Sequence, residues 1–224
     1  MLTVVIPTLN ESKNLEILLP QLKNYCEEII LVDDGSVDDT IETGKKFGCK
    51  IIERKTKFGV GSAVIDGARA AAGDVVAIVD GDLSHPVEVL KSVYLINENI
   101  VDIVKFSRFI AGGGMDNKLR WILQGYYNRI INILAGTRVS DFTGGFMMAR
   151  KDCFIYRKPS IAVHGEWIIE FMLNNKKKRI SEVPYIYGYR KYGESKFSGK
   201  KDFSRMIRYF YYLFYYHFYL LFNN

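Results

Sequence analysis

The sequence predicts a single α/β domain built on a parallel sheet. Through about the first hundred residues, short β-branched runs alternate with helical patterns, which is typical of βαβ units. The chain has 224 residues, enough to bury one sizeable core without disulfides or a structural metal. Its three cysteines are far apart and show no metal-ligand spacing, which indicates a reducing, cytosolic-side location.

The predicted elements of this first half alternate from the amino terminus. In chain order they are a strand at 2–6, a helix at 12–25, a strand at 28–32, a helix from 38, a strand at 50–53, a helix at 61–72 and a strand at 75–79. The opening strand lacks the charged region and cleavage site of a secretory signal. Ligands of parallel sheets bind beyond the carboxyl ends of the strands, so the polar loops at 7–11, 33–36 and 80–82 are expected to share one crevice.

The pattern loosens after residue 100. The expected elements are a strand at 101–106, a glycine-rich loop at 111–114, an amphipathic helix at 118–134, a strand at 145–149, a helix at 165–174 and a strand at 180–189. The four basic residues at 176–179 suit the negative end of the preceding helix dipole.

The segment 203–222 predicts an amphipathic, tyrosine-rich helix. Its uninterrupted apolar part would be roughly 21 Å long, which is short of the ~30 Å hydrocarbon core of a bilayer. We expect it to lie in a membrane interface, or to pack on the domain core or a second copy. The domain division is therefore a catalytic domain at 1–202 and this helix at 203–224.

Two aspartates, Asp80 and Asp82, end the buried run 74–79. Hard divalent ions such as Mg²⁺ or Mn²⁺ bind through one or two carboxylates together with substrate phosphates, so the pair predicts a nucleotide-diphosphate site. Aspartates flanking a glycine are also common in turns. A second pair, Asp33 and Asp34, follows a neighbouring strand and could accept hydrogen bonds from a nucleobase, which favours the functional reading.

Two other interpretations of these segments fit less well. The glycines at 59 and 61 open a helix, as in a dinucleotide fingerprint, but five residues separate them from the preceding strand. They are better explained by loop geometry, with Lys57 pointing at a phosphate as a lesser alternative. A haloacid-dehalogenase phosphatase with Asp80 as nucleophile would carry this motif on its opening strand. Here about three βα units precede the motif, so this class of enzyme fits poorly.

Basic residues supply the opposite charge. The net charge of +6 favours anionic partners such as nucleotides, phospholipid surfaces or nucleic acid. The loop at 190–196 places Arg190 and Lys196 directly after a strand, where they could close on a phosphate. The three histidines do not cluster, so a histidine metal site or a catalytic triad is not indicated.

The chain resembles the family 2 glycosyltransferases of the GT-A fold, most closely the polyprenol-phosphate (dolichol-phosphate) mannose synthases. The resemblance covers nearly the whole chain and implies a Rossmann-like, mostly parallel mixed central sheet flanked by helices. It is carried by the segments 5–11, 30–36, 80–86, 107–108, 140–146 and 182–184 followed by 193–196, of which 80–86 and 193–196 are the most specific.

The resemblance implies roles for individual residues. The nucleotide-binding positions are Pro7, Leu9, Glu11, Val32, Asp34, Lys57, Asp80 and Gly81, although the family often has tyrosine where this chain has Leu9. The metal positions are Asp80, Asp82 and Ser84, for Mg²⁺ or Mn²⁺. The acceptor-phosphate positions are Arg108, Arg120, Arg190 and Lys196, and of these Arg108, Arg190 and Lys196 form the catalytic set with Asp82. The sugar-binding positions are Asp141, Gly144, Gly145 and Glu170.

The implied reaction is transfer of mannose from GDP-mannose to a polyprenyl (dolichyl) phosphate, with inversion. Expected partners are these two substrates, a membrane surface at its cytoplasmic face and a small anchoring subunit or further copies of the chain, but not nucleic acid. One alternative is a family 2 transferase that uses a UDP-sugar, or a hydroxyl acceptor with Asp141 or Glu170 as base. A second is a non-catalytic subunit that binds nucleotide-sugar or anionic membrane.

Overall fold

A seven-stranded mixed sheet forms the centre of the molecule. The computed structural model describes residues 1–54, 59–155 and 166–188, together with residues 192, 211, 214 and 215. The strands are β1 (Leu2–Thr8), β2 (Glu28–Asp33), β3 (Lys50–Glu53), β4 (Val75–Ile78), β5 (Ile103–Ser107), β6 (Gly114–Met115), β7 (Met147–Arg150), β8 (Ile180–Pro184) and β9 (Ile186–Tyr187). The large sheet has the order β3-β2-β1-β4-β7-β5-β8, and β6 pairs with β9 separately.

Among the described strands of the large sheet, only β7 runs against the others. The pairs of β1 with β2 and β4, of β2 with β3 and of β5 with β8 are parallel, whereas β7 lies antiparallel between β4 and β5. The mostly parallel mixed sheet expected from the sequence is therefore confirmed. Its parallel half brings the carboxyl ends of β1, β2 and β4 to one edge.

Helices cover both faces of this sheet. They are α1 (Ser12–Leu22), α2 (Thr40–Lys46), α3 (Val60–Ala70), α4 (Tyr94–Asn97), α5 (Lys118–Ala135) and α6 (Trp167–Asn174), with 3₁₀ segments at Val87–Val93 and Lys151–Phe154. One buried cluster packs α3, α5 and α6 against one face, and a second packs α1 and the segment around α4 against the other. In α3, Gly67 lies against Val5 of β1, where an added Cβ would overlap the valine side chain.

Local sequence explains where the main helices lie. In α1 the buried leucines recur at helical spacing along one face, which is the pattern of an amphipathic surface helix. At the start of α5, the Asn117 side chain accepts a hydrogen bond from the Arg120 backbone N–H at 2.9 Å. At its end Gly136 adopts φ +65°, a left-handed cap that glycine takes at little cost.

Most predicted elements are confirmed with ends that differ by one to three residues, and three segments depart further from the sequence prediction. The strand predicted at 180–189 divides at Tyr185, because β8 ends its pairing with β5 there and the next two residues pair with β6. The glycine-rich loop predicted at 111–114 ends in β6. The segment 87–97 forms 3₁₀ and α-helical turns that the sequence analysis left without an element.

In the part of the chain that the structure describes, none of the helices is both long and apolar enough to cross a membrane. The predicted division at residue 202 and the amphipathic helix beyond it fall largely outside the described residues.

Candidate active site

Three strand-end loops meet at the edge of the parallel half-sheet, as the sequence predicts. The loops after β1 and β2 are joined by a hydrogen bond from the Asn10 backbone N–H to Ser36 Oγ at 2.8 Å and by one from the Val37 N–H to Asn10 Oδ1 at 2.8 Å. The loop after β4 lies beside the first, since a Cβ on Gly81 would lie 3.5 Å from Glu11 Cγ. The three loops therefore lie side by side and form the crevice expected from the sequence.

The acidic pair after β4 is held by its own loop. Asp82 Oδ1 accepts two hydrogen bonds from Ser84, one from the backbone N–H at 3.1 Å and one from the hydroxyl at 2.6 Å. The Asp80 side chain is 49% exposed. Between them, Gly81 is buried. The two carboxylates therefore stand at the end of a central strand with hard oxygen donors near solvent.

The buried side chain of His85 contacts the acidic loop and stabilises it. The Asp80 backbone N–H donates to His85 Nδ1 at 3.1 Å, so the proton of the neutral ring lies on Nε2, which is 3.6 Å from Asp80 Oδ2. The ring stacks on Phe146 at a centroid distance of 4.2 Å. Burial lowers the pKa of His85, although Asp80 and Asp82 oppose that change. His85 is thus a buried, stacked support for the acidic loop, consistent with its lying outside any histidine cluster.

The second carboxylate pair is also engaged by the protein. Asp33 Oδ1 accepts the backbone N–H groups of Gly35 and Ser36, which fixes the turn after β2. Asp34 forms an ion pair with the buried Arg54 and accepts the Gly59 N–H at 3.1 Å. Asp34 is therefore fixed at the crevice by a counter-charge that the sequence analysis missed.

The remaining residues predicted at the nucleotide end differ in accessibility. Pro7 and Leu9 are partly exposed at the end of β1. Glu11 is buried and accepts a hydrogen bond from Asn14 Nδ2 at 2.7 Å. Val32 is fully buried in the core with 0% of the residue exposed, so the structure does not place it on the crevice as the sequence predicts.

A buried ion pair lies across the site from the acidic loop. Arg108, directly after β5, donates to Asp141 from Nε at 2.7 Å and from Nη2 at 2.8 Å, and its Nη1 donates to Gln124 at 3.1 Å. Asp141 is 0% exposed and Arg108 only 7%. Burial opposes both charges, but their attraction outweighs it, so the pKa of Arg108 is raised and that of Asp141 is lowered.

A buried lysine and a glutamate complete this charged group. Lys105 of β5 is 0% exposed, and its ammonium donates to the Gly144 carbonyl. Burial, opposed by Asp141, lowers the pKa of Lys105 to about 8. Glu182 of β8 accepts the backbone N–H groups of Ser140 at 2.8 Å and Asp141 at 3.1 Å. The loop that carries Asp141 and Gly144 is thus fastened from two strands.

Tyr187 of β9 connects the acidic and basic halves of the site. The Arg108 guanidinium carbon lies 5.7 Å from the centre of its ring. Burial, followed by the charges of Asp80 and Asp82, raises the pKa of its hydroxyl. The same strand end is tied to the acidic loop, since the Gly188 N–H donates to the Ser84 carbonyl at 3.1 Å. The sequence analysis gave Tyr187 no role.

Beside Tyr187 a small, open cleft lies at the start of α5. It is lined by Met115, Asp116, Asn117, Arg120, Tyr187 and Gly188. Among the residues that the structure describes, the buried Nε of Arg120 has no hydrogen-bond partner. Arg120 therefore brings a positive charge with unused donor capacity to the cleft.

Among the described residues, Arg120 is the only predicted site residue that lines this cleft. Gly145 lies against Trp167, and Glu170 is buried on α6. Lys57, Arg190 and Lys196 lie outside the described residues. Within the described ranges, no group of three or more His, Cys, Asp or Glu side chains could hold a metal ion by itself.

Comparison with known proteins identifies the family. The sequence profile of glycosyl transferase family 2 matches residues 3–156. The chain belongs to this family. It is 33% identical over 222 residues to a dolichol-phosphate mannosyltransferase of Pyrococcus furiosus and 32% identical over 226 residues to one of Mycosarcoma maydis. Each alignment covers 90% of this chain, but 60% of the first relative and 75% of the second. The chain thus spans about three-fifths of the Pyrococcus relative.

Solved structures show the fold of this family 2 chain. Glucosyl-3-phosphoglycerate synthase from Mycobacterium tuberculosis matches it with a TM-score of 0.71 at 19% identity, over 95% of this chain and 79% of that one. The same enzyme in complex with Mg²⁺ and UDP matches with a TM-score of 0.68 at 20% identity, over 93% of this chain and 75% of that one. The GT-A fold predicted from the sequence is confirmed.

Proposed function

We propose that this chain transfers mannose from GDP-mannose to the phosphate of a polyprenyl phosphate, with inversion at the anomeric carbon. The observation that carries the proposal is the position of Tyr187. Its ring lies beside Arg108, and the charges of Asp80 and Asp82 contribute to the raised pKa of its hydroxyl. An acidic group suited to a cation on a diphosphate and a basic group suited to a second phosphate therefore both lie near Tyr187. The Pyrococcus and Mycosarcoma relatives are named dolichol-phosphate mannosyltransferases, which favours mannose as the sugar and a polyprenyl phosphate as the acceptor.

The acidic loop fits a divalent ion. Its donors are carboxylate oxygens, the half-exposed Asp80 and the oriented Asp82, which are the ligands that Mg²⁺ and Mn²⁺ prefer beside substrate phosphates. Ser84 donates its hydroxyl to Asp82, so we assign it to orienting that carboxylate. When bound, the ion would act as a Lewis acid that stabilises negative charge on the departing GDP.

The protein's own residues then hold the two substrates in line. The loops after β1 and β2, with Glu11 and with Asp34 fixed by Arg54, border the nucleoside end. We assign Arg108 and Arg120 to the acceptor end. The sequence prediction adds Arg190 and Lys196, which lie outside the described residues. Among the described contacts, Asp141 and Gln124 take three of the five guanidinium N–H groups of Arg108, which leaves one on each terminal nitrogen for a phosphate.

The acceptor needs no general base. A phosphate monoester carries about −1.5 to −2 charges at neutral pH, so it arrives as an ionised nucleophile. Its oxygen attacks the anomeric carbon as the bond from that carbon to the GDP oxygen breaks, and GDP leaves with the electron pair. We accordingly assign Asp141 to positioning Arg108, because its oxygens already accept from Arg108 and from the Gly144 N–H. Catalysis would consist of positioning and charge stabilisation.

A donor and acceptor panel tests the proposal. Purified protein is incubated with radiolabelled GDP-mannose, UDP-glucose or UDP-galactose, Mg²⁺ and a short-chain polyprenyl phosphate, and labelled lipid is separated by chromatography. We expect mannosyl-lipid from GDP-mannose only. Lipid labelled from a UDP-sugar would replace the donor assignment. Metal-dependent nucleotide binding without any labelled product under these conditions would favour a binding subunit.

A further inference from the structure

The hydroxyl of Tyr187 lies between the acidic loop and the cleft at the start of α5. The Tyr187 side chain lines that cleft together with Arg120. Burial, followed by the charges of Asp80 and Asp82, raises the pKa of the hydroxyl, whereas Ser84 and Arg120 lower it. Charges of both signs therefore act on this one oxygen, which stands at the boundary between the two halves of the site.

The ring that carries this hydroxyl is held in place by its neighbours. The Arg108 guanidinium carbon lies 5.7 Å from the ring centre. His85 meets the ring edge to face, with 6.0 Å between the ring centres and 70° between the ring planes. The backbone of Tyr187 pairs with Met115 of β6. Because the phenol oxygen lies on the axis of the ring, packing that fixes the ring also fixes the hydroxyl.

This hydroxyl is an O–H donor beside groups that accept. Its raised pKa keeps the proton on the oxygen at neutral pH, since an unperturbed tyrosine already titrates only at about pH 10. The ionised carboxylates of Asp80 and Asp82 have no hydrogen to donate, and Ser84 gives its hydroxyl proton to Asp82 at 2.6 Å. A charged phosphate oxygen is a stronger acceptor than the Ser84 hydroxyl. A phosphate at the acidic loop would therefore meet Tyr187 as a neutral donor.

The geometry points to a contact with the leaving group: we propose that Tyr187 donates a hydrogen bond from its hydroxyl to the β-phosphate of a nucleoside diphosphate at the acidic loop. As the bond from the anomeric carbon to the diphosphate oxygen breaks, that oxygen keeps the electron pair and the phenol keeps its proton. The hydrogen bond strengthens as negative charge grows on the diphosphate, so Tyr187 is a catalytic residue. The transfer step rests on the proposed function, whereas the contact needs only a nucleoside diphosphate.

Tyr187→Phe tests the contact, because it keeps the ring and removes the hydroxyl alone. GDP and GMP are titrated calorimetrically into the full chain with Mg²⁺, and UDP and UMP are titrated in parallel to cover a UDP-sugar donor. GMP and UMP lack the β-phosphate, so each pair of nucleotides isolates the contact with that group. The matched control is Tyr94→Phe, which removes a hydroxyl from an exposed ring of α4.

We expect Tyr187→Phe to weaken binding of the diphosphate at least about tenfold, because a hydrogen bond to a charged group contributes about that factor. Its affinity for the monophosphate should remain near wild type, and Tyr94→Phe should match the wild type with both nucleotides. The ratio of the two affinities is compared within each protein. A loss of folded protein lowers both binding signals together and leaves this ratio unchanged, so misfolding of the variant cannot imitate the expected result.

Transfer kinetics give a second readout. With a short-chain polyprenyl phosphate as acceptor, the kcat of Tyr187→Phe should fall at least about tenfold while the KM for the acceptor stays near wild type. Two results would overturn the assignment. An unchanged ratio of diphosphate to monophosphate affinity would separate the hydroxyl from the β-phosphate. A raised KM for the acceptor with unchanged affinity for the diphosphate would assign the hydroxyl to the acceptor phosphate instead.

The contact and the proposed function fail separately, because the titrations contain neither mannose nor lipid. If the wild type forms no mannosyl-lipid while the affinity ratio falls in Tyr187→Phe, the proposed function fails and the contact stands. If the wild type forms mannosyl-lipid and the ratio does not change in the variant, the contact fails and the proposed function stands.

Discussion

Asp141→Asn is the substitution whose consequences follow most directly from the structure. It removes the counter-charge of Arg108, which is only 7% exposed and has both its Nε and Nη2 on Asp141. Breaking a buried ion pair from one side costs about 3–5 kcal/mol, because the remaining charge stays buried without compensation. For a domain of this size that corresponds to a fall in melting temperature of about 6–20 °C.

The free energy of unfolding is measured in urea by tryptophan fluorescence from Trp121 and Trp167. The control is the double variant Arg108→Met with Asp141→Leu, which removes both charges. Its destabilisation should be smaller than that of the single variant. A single variant within about 1 kcal/mol of wild type, or a double variant that is worse than the single one, would refute the reasoning.

The pH dependence provides an independent check on this pair. Arg108 lowers the pKa of Asp141 in the folded protein. The ionised Asp141 therefore contributes its full stabilisation above its unfolded pKa of about 4, and this stabilisation is lost as the pH falls through its pKa in the folded protein. The gap in unfolding free energy between the wild type and Asp141→Asn should therefore narrow in acid. A gap that does not change with pH would contradict the assignment.

Three further predictions concern the other charged groups. The folded Lys105 has a pKa of about 8, so between about pH 8 and 10.5 the unfolded wild type binds more protons than the folded protein, and its free energy of unfolding rises with pH by up to about 3 kcal/mol. Lys105→Met should lack this rise. Urea melts in which the two proteins show the same pH dependence would contradict the prediction. Arg120→Ala should raise the KM for the lipid phosphate roughly tenfold with little change in the KM for GDP-mannose. Replacement of the exposed Lys118 by Ala should change neither KM. If the two variants change the KM for the lipid phosphate equally, Arg120 has no specific role in the acceptor cleft. Arg54→Met should leave Asp34 without its counter-charge, lower the free energy of unfolding by about 3 kcal/mol and raise the KM for GDP-mannose; unchanged thermal stability would show that this pair is not essential.

The parallel half of the fold and its acidic loops could be predicted because their signals are local. Alternation of strands and helices fixes the βαβ units, and carboxylates directly after a strand must lie at its carboxyl end. The antiparallel insertion of β7 between β4 and β5 could not be predicted, since the hydrophobic pattern of a strand does not specify its neighbours.

The basic half of the site depends on contacts between distant segments. Arg108 and Asp141 are 33 residues apart, and the loop that carries Asp141 is held beside β5 by Lys105 and by Glu182 of β8. Lys105 gave a local signal, a lysine in the middle of a buried strand, but its partners lie on a loop and on β8. Tyr187 acquires its role because the chain departs from β8 at Tyr185 and pairs with β6.

Calorimetric titration of GDP into the protein tests the central claim most directly. If Asp80 and Asp82 hold a divalent ion on the diphosphate, GDP should bind the wild type at least about tenfold more tightly with Mg²⁺ than with EDTA, and Asp82→Asn should lose that difference while melting at the wild-type temperature. Equal GDP affinity with and without Mg²⁺ in the wild type, or an undiminished Mg²⁺ effect in Asp82→Asn, would contradict the account.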